Sequence, residues 1–167
     1  MIIITGKNGS LGSECIKKLN KKYNIYALER GEQLPEKATI LINCAGYVLF
    51  GKITDQTEEE VDKMLSANIK YAWKLSRDFI NNGGKHIIHI GSTRSISVAP
   101  SKCIYSASKH ALLALSRSIN IDYKTVNSSI ICPGSFSKKT TISNVIETIE
   151  FVIAHPTIQE VVLDGQI

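Results

Sequence analysis

Apolar positions fall into six short runs rich in Ile and Val, at 2–5, 24–28, 39–43, 86–90, 129–132 and 160–163. Most stretches between them repeat apolar residues every three or four positions. Short runs fit strands, the longer period fits amphipathic helices, and strands that alternate with helices build a parallel sheet. ILIN at 40–43 and HIIHI at 86–90 are almost continuously apolar, as expected when helices cover both faces of the sheet. Leu11, Cys15, Ile16 and Leu19 predict the first helix, and Val145, Ile149 and Val152 the last. A long helix is predicted from near Thr57, with Glu58, Glu59 and Glu60 in its first turn, where the helix dipole favours anions. Its face is traced by Val61, Met64, Leu65, Tyr71, Ala72, Leu75 and Phe79, and Gly83 with Gly84 ends it. A further helix over about 102–122 is expected to turn Ala111, Leu112, Leu115 and Ile119 to the sheet. No repeat, linker or low-complexity tract interrupts the pattern, so residues 1–167 read as one domain.

One junction is short. Only residues 29–38 separate the second strand from the third, too few for a helix and another strand. Ten extended residues reach about 33 Å, against a strand length of about 17 to 20 Å, so a bare crossover is feasible.

A chain of 167 residues, 43% hydrophobic and 21% charged, is the composition of a soluble globular protein and can bury a core without metal or disulfides. Its 20 Lys and Arg against 15 Asp and Glu leave a net charge of +5. The basic cluster Lys17, Lys18, Lys21 and Lys22 lies on the outer face of the first helix and reads as a solvated face, so no nucleic acid partner is expected. The apolar runs fall far short of the roughly 18 to 20 residues that span a bilayer, so no membrane partner is expected either. Met1 leads directly into the first strand without a secretory pattern. Cys15, Cys44, Cys103 and Cys132 are widely spaced, as for reduced thiols in the cytoplasm. His86 and His89, three apart in a strand, point to opposite faces and predict no metal site.

Candidate chemistry gathers at strand ends. Thr5, Gly6, Lys7, Asn8, Gly9, Ser10, Leu11 and Gly12 join the first strand to the first helix, with glycines three apart. Such a loop lets a pyrophosphate approach backbone N–H groups at a helix N-terminus, and Gly12 lets helix and strand pack closely. The second strand ends at Glu29 and Arg30, 23 residues beyond Gly6. An acid there suits a ribose 2′-hydroxyl and hence NAD, whereas Arg30 with Lys7 suits a 2′-phosphate and hence NADP. Tyr105 and Lys109, four apart, share one helix face, where an ammonium favours the phenolate. Ser92 closes the fourth strand thirteen residues before Tyr105. Asn68 interrupts the apolar stripe of the long helix and needs a partner, a water or backbone groups that it bridges.

In order, TGKNGSLG, NCAG at 43–46, Asn68, IGS at 90–92, YSASK at 105–109, CPG at 132–134 and LDG at 163–165 resemble the short-chain dehydrogenase/reductase family from end to end. The glycine pattern is more similar to the family's nucleotide-sugar-modifying branch, and YSASKHAL to its compact reductases. The resemblance implies a Rossmann-like, doubly wound parallel α/β sheet of about six strands that lacks the usual third strand and its helix. It implies an NAD- or NADP-dependent oxidoreductase acting on a small carbonyl or alcohol. Tyr105 would be the general acid or base, Lys109 would lower its pKa and hold the nicotinamide ribose, Ser92 would polarise the substrate oxygen, and Asn68 would fix a water that relays protons through Lys109. Asn43, Ala45 and Gly46 would contact the adenosine side, Pro133 and Gly134 would flank the nicotinamide, and Ser137 would offer a hydroxyl to the cofactor. Relatives pair the long helix with the helix at 102–122 in a two-fold interface, which predicts a homodimer or homotetramer using Ala107, Leu113 and Ala114. Family members commonly run to about 250 residues, a usual length for one α/β domain. The missing pieces are the material after Glu29 and the lid segment after Gly134. These gaps keep two alternatives open, a non-catalytic dinucleotide sensor or scaffold, and a sugar-nucleotide reductase or epimerase. Substrate-side candidates are Tyr47, Val48, Leu49 and Phe50, residues 93–102, and Phe136, with Arg94 and Lys102 as either anion holders or exposed cations.

Overall fold

The structure, a computed structural model, describes residues 1–135 and 140–163. Strands β1 (Ile2–Thr5), β2 (Ile25–Ala27), β3 (Ile40–Asn43), β4 (His86–Ile90), β5 (Asn127–Pro133) and β6 (Glu160–Leu163) form one parallel sheet in the order β2-β1-β3-β4-β5-β6. Helix α1 (Ser10–Leu19) and α5 (Ile142–Ala154) cover one face. There Cys15, Leu19, Val145, Ile149 and Val152 pack on Ile2, Ile4, Ile42, Ile88 and Ile131. On the opposite face, Leu75 and Phe79 of α3 (Tyr71–Asn81) and Ile119 of α4 (Cys103–Asp122) pack on Ile3, Leu41 and Ile87. Both parities of each central strand are therefore buried, which accounts for their near-continuous Ile runs. The architecture is the Rossmann-like doubly wound α/β sheet that the sequence pattern predicts.

The short junction is a bare crossover. Residues 29–38 contain only turns, and the chain passes β1 to enter the sheet as β3. Leu28 and Ala38 are buried at its ends, Leu34 packs on the same cluster, and Thr39 N–H donates to Met1 O at 3.0 Å. The strand order reverses between β1 and β3, and the crevice above that switch point is where such sheets bind ligands.

The predicted long helix is instead two helices joined by a π-helical turn. Helix α2 (Glu58–Leu65) begins with a reciprocal capping box between Thr57 and Glu60, and a wider turn at Ser66–Lys70 precedes α3. Gly83 ends α3 at φ +81, with Gly84 N–H donating to Phe79 O at 2.9 Å. The face of α4 also departs from expectation. Ala111 is exposed, Leu113 is buried at 6%, and the inward stripe includes Ser108, Lys109, Leu112, Ser116 and Ile119. Small serines let α4 lie close to the sheet, and this rotates Leu113 off the outer face proposed for self-association, while Ala107 and Ala114 stay exposed. His89 hydrogen-bonds toward α3, and the pleat turns His86 to the other face, as the three-residue spacing requires.

Candidate active site

The loop after β1 has the geometry of a phosphate cradle. Gly6 adopts φ +73, and a Cβ there would meet the Cys44 carbonyl and Ala45 N at 2.8 to 2.9 Å, so neither its conformation nor its surroundings admit a side chain. Gly12 faces Gly6 O, which a Cβ would approach to 2.2 Å. Gly9 caps α1 without a side-chain hydrogen bond, leaving the first N–H groups of the helix toward solvent. Gly6, Lys7, Asn8 and Gly9 line a cavity of about 390 Å³ together with Leu28, Glu29, Arg30, Cys44, Ala45, Gly46 and Tyr71. Glu29 is ion-paired with Lys7, while the Arg30 guanidinium lies 5.2 Å from the Tyr71 ring centroid. The glycines and the helix terminus fit a dinucleotide's phosphates, and Glu29 lines the same cavity.

Some sequence candidates lie beneath this cleft rather than in it. Thr5 and Asn43 are buried and adjacent across the sheet; Thr5 Oγ1 donates to Asn43 Oδ1 at 2.8 Å and accepts from Ala45 N at 3.2 Å. Asn43 Nδ2 donates to His89 Nδ1 at 3.4 Å, and His89 Nε2 is 3.5 Å from Ser76 Oγ. Ser76 Oγ itself donates to Ala72 O at 2.8 Å, so His89 is the donor in their contact. Burial, with a lesser push from Lys109, lowers the His89 pKa to about 4, so the ring is neutral. The Asn43 amide is engaged in a buried polar row beneath residues 44–46. Ser10 is exposed at the start of α1, and Gly12 is buried against Gly6.

A second cavity, about 400 Å³, shares Cys44, Ala45 and Gly46 with the first. Ser92, Tyr105, Lys109, Pro133 and Gly134 line it, with Tyr47, Val48, Phe50, Thr93, Arg94 and Lys102 on the remaining walls and Leu11 at the cradle side. Ser92, two residues beyond β4, caps a short 3₁₀ turn, Thr93–Ser95, its Oγ accepting from Arg94 N at 3.1 Å. Tyr105 and Lys109 come from the first two turns of α4. Gly134 is fixed by N–H donation to Leu163 O at 2.8 Å. Ser137 and Phe136, like Asp164 and Gly165 of the LDG motif, lie outside the described residues.

Asn68 sits in the π-helical turn, 2% exposed. Its Oδ1 accepts from Tyr47 N at 2.7 Å, and its Nδ2 donates to Tyr47 O and Ser108 Oγ, both at 2.9 Å. Ser108 Oγ in turn donates to Tyr105 O at 2.8 Å. Of the two sequence alternatives, the structure places Asn68 as a clamp between the post-β3 loop and the tyrosine-bearing helix. A Cβ on Gly46 would contact Asn68 Oδ1 at 3.4 Å and Lys109 Nζ at 3.8 Å.

Burial raises the Tyr105 phenol above its ordinary value; a hydrogen bond from Ser92 and the charge of Arg94 act in the other direction. The cation expected to lower it, Lys109, has its Nζ 5.9 Å from the Tyr105 ring centroid and donates to Ile90 O at 2.9 Å. Lys109 itself is lowered to about 8 by burial, with Cys132 and Cys44 opposing the fall. Because the folded value lies below the unfolded one of 10.5, the unfolded chain binds more protons between the two. The penalty for burying the ammonium is complete below pH about 8 and is relieved as pH rises toward 10.5. Urea unfolding should therefore show wild type gaining stability relative to Lys109→Met across that window, by an amount on the order of 3 kcal/mol. A pH-independent difference would show that Lys109 is not buried as a cation.

Sequence reasoning missed Cys44 and Tyr71 as cavity residues and Ser108 as a partner of Asn68. Cys44 and Ser108 were within reach, since both lie inside quoted motifs, whereas Tyr71 looks like one more apolar residue on a helix stripe.

A sequence model of the short chain dehydrogenases matches residues 32–148, well over half of the chain. The chain is similar to an uncharacterized oxidoreductase of Thermotoga maritima, at 34% identity over 64% of this chain and 45% of that one. It is similar also to a D-beta-hydroxybutyrate dehydrogenase of Rhizobium meliloti, at 32% identity over 58% of this chain and 40% of the relative. The chain thus spans under half the length of these two relatives. Among solved structures, a 4-hydroxyisoleucine dehydrogenase complexed with NADH and succinate superposes with a TM-score of 0.86 at 23% identity, covering 99% of this chain and 98% of that one. Serine dehydrogenase from Escherichia coli gives 0.84 at 20% identity, with 96% and 95% covered. At these identities the structural likeness establishes the fold.

Proposed function

Because the chain belongs to the short-chain dehydrogenase/reductase family, we propose that it acts as an oxidoreductase on a carbonyl or alcohol substrate, using NAD or NADP. The observation that carries this is the meeting of Ser92, Tyr105 and Lys109 in one cavity that shares a wall with the glycine cradle. The nicotinamide, when bound, supplies or takes up the hydride. Ser92 Oγ hydrogen-bonds the substrate oxygen, and the Tyr105 phenol, whose pKa burial raises further above neutrality, donates the proton that makes the alcohol. Lys109 holds a cation behind Gly46, at the strip common to both cavities. Asn68 positions Tyr47 and α4 rather than touching the reacting atoms. Binding of NADH or NADPH by calorimetry, followed by loss of nicotinamide absorbance with a carbonyl panel, tests this; absence of cofactor binding would overturn it.

On the adenosine side the cavity favours NAD. Lys7 is neutralised by Glu29, and Arg30 is turned onto Tyr71, so neither cation is free while a carboxylate faces the ribose position. A 2′-phosphate would meet Glu29 as a like charge. Wild type is expected to bind NADH more tightly than NADPH, and Glu29→Ser, which releases Lys7, should shift the Kd ratio toward NADPH by tenfold or more, about the effect of one charge-assisted hydrogen bond. Tighter NADPH binding by wild type would reverse the assignment.

A further inference from the structure

We propose that the substrate is a small oxo or hydroxy acid whose carboxylate is held by Arg94 and Lys102, a substrate class that rests on the hydride-transfer reading of this cavity. The catalytic cavity is lined by three cations, Arg94, Lys102 and Lys109, and by no Asp or Glu among the described residues. Five acidic residues elsewhere are ion-paired with other bases: Glu29 with Lys7, Glu14 with Lys17, Glu150 with Lys22, Asp78 with Lys74 and Arg77, and Glu160 with Arg117. Among the described residues neither Arg94 nor Lys102 has an acidic partner, although both are only half exposed. A concave site with uncompensated positive charge attracts an anion.

The two side chains are placed to act together with the reacting groups. Arg94 lies two residues beyond Ser92 in the turn that Ser92 caps. Its Nη1 donates to Val98 O at 2.6 Å, and its Nη2 is 3.5 Å from Thr93 Oγ1. A guanidinium carries five donors, so these contacts fix the fork and leave three for a ligand. Arg94 lines the same cavity as Ser92 and Tyr105, and its charge acts on the Tyr105 hydroxyl. In the same cavity, Lys102 Nζ lies 4.7 Å from the Phe50 ring centroid, and that ring meets Tyr105 edge-on at 6.2 Å between centroids. Gly51 N–H donates to Ser101 O at 2.8 Å, tying the Phe50 loop to the start of α4 and fixing the spacing of this wall.

Phe50 and Val48 add apolar surface to the same cavity, and the Phe50 ring touches both Tyr105 and Lys102. A ligand with an oxygen at one end, a few carbons, and an oxyanion at the other satisfies each of these groups. An Arg fork accepts a carboxylate or a phosphate in the same bidentate manner. The cavity, about 400 Å³ and bordered by the nicotinamide-side residues Pro133 and Gly134, has room for the smaller.

The test uses the full chain loaded with NADH, with pyruvate, acetoacetate and levulinate each compared with its methyl ester, and dihydroxyacetone phosphate as the phosphate arm. At least one oxo acid should exceed its ester in kcat/KM by about ten- to a hundredfold, the worth of a hydrogen bond to a charged group. In Arg94→Met and Lys102→Met that ratio should fall toward one, chiefly through KM. Esters used as well as acids, or a ratio unmoved in both variants, would overturn the proposal, as would preference for the phosphate over every acid. A second measurement needs no chemistry: butyrate and butyramide are titrated into the NADH-loaded chain. Butyrate should bind, butyramide should not, and both variants should weaken butyrate. Failure of butyrate to bind while NADH binds overturns the carboxylate assignment alone, whereas failure of NADH to bind removes the hydride-transfer reading first.

Discussion

Tyr105→Phe is expected to lower turnover by about 10² to 10⁴-fold, the usual contribution of a positioned proton donor, while leaving cofactor affinity unchanged. The substitution removes one oxygen and keeps the ring, so the edge-on contact with Phe50 and the packing of α4 survive. What disappears is the proton for the substrate oxygen and the partner of the Ser92 hydroxyl. At 1.36 kcal/mol per factor of ten, the loss corresponds to about 3 to 5 kcal/mol of transition-state stabilisation. A pH profile adds a second readout. Burial raises the phenol above its ordinary range, so it is protonated and competent as a donor across neutral pH. Carbonyl reduction should therefore be flat through neutrality, whereas alcohol oxidation, which needs the phenolate, should rise with pH. Absorbance at the nicotinamide band measures both directions. Full activity in Tyr105→Phe would remove Tyr105 from the chemistry, and cofactor binding without turnover by wild type would favour the sensor alternative.

Among the described glycines, Gly12→Ala should be the most damaging added methyl group for both stability and cofactor binding. The added carbon would stand 2.2 Å from Gly6 O, 2.7 Å from Gly6 C and 3.2 Å from Thr5 O. All three are backbone atoms, so no rotamer change relieves the contact, and either α1 or the cradle must move. Overpacking costs about 1 to 3 kcal/mol, occasionally more, against a typical total stability of about 5 to 15 kcal/mol. For a chain of this size, the melting temperature should fall by about 2 to 12 °C. Displacing the loop should also weaken NADH binding by more than any change at the adenosine rim. Gly9→Ala is the folding control, since its Cβ would lie 3.3 Å from the same oxygen and a small adjustment suffices. A Gly12→Ala protein with wild-type melting and NADH affinity would show that the loop is not held as described.

The central strands were legible because they are buried on both faces, which leaves short, near-continuous apolar runs. The bare crossover followed from chain length alone. Less of α2 and α3 was legible: a π-helical turn adds one residue within otherwise helical spacing, so the stripe from Val61 to Phe79 does not reveal the wider turn at Asn68. On α4 the inward residues Ser108 and Ser116 are polar by composition and small by volume, and it is volume that fits them against the sheet. Asn68 was visible as an anomaly, yet its partners are Tyr47 backbone groups and a serine brought from forty residues away, which no local pattern encodes. Thr5 and Asn43 belong to quoted motifs but face the sheet interior, because a motif fixes residue order and the pleat fixes direction. The influence of Arg94 on Tyr105 depends on a turn that folds back over the cavity, and it became visible only in three dimensions.

The bare crossover has one more consequence. With no strand beyond β2 among the described residues, its outer backbone groups form an open ladder edge, the kind of surface on which another polypeptide can add a strand and begin aggregation. Here the edge is three residues long, Ile25–Ala27, and at about 3.3 Å per residue it presents roughly 10 Å of template. That is shorter than an ordinary strand needs for stable pairing. The chain dispenses with a strand at this edge and leaves too little ladder there to seed a fibre.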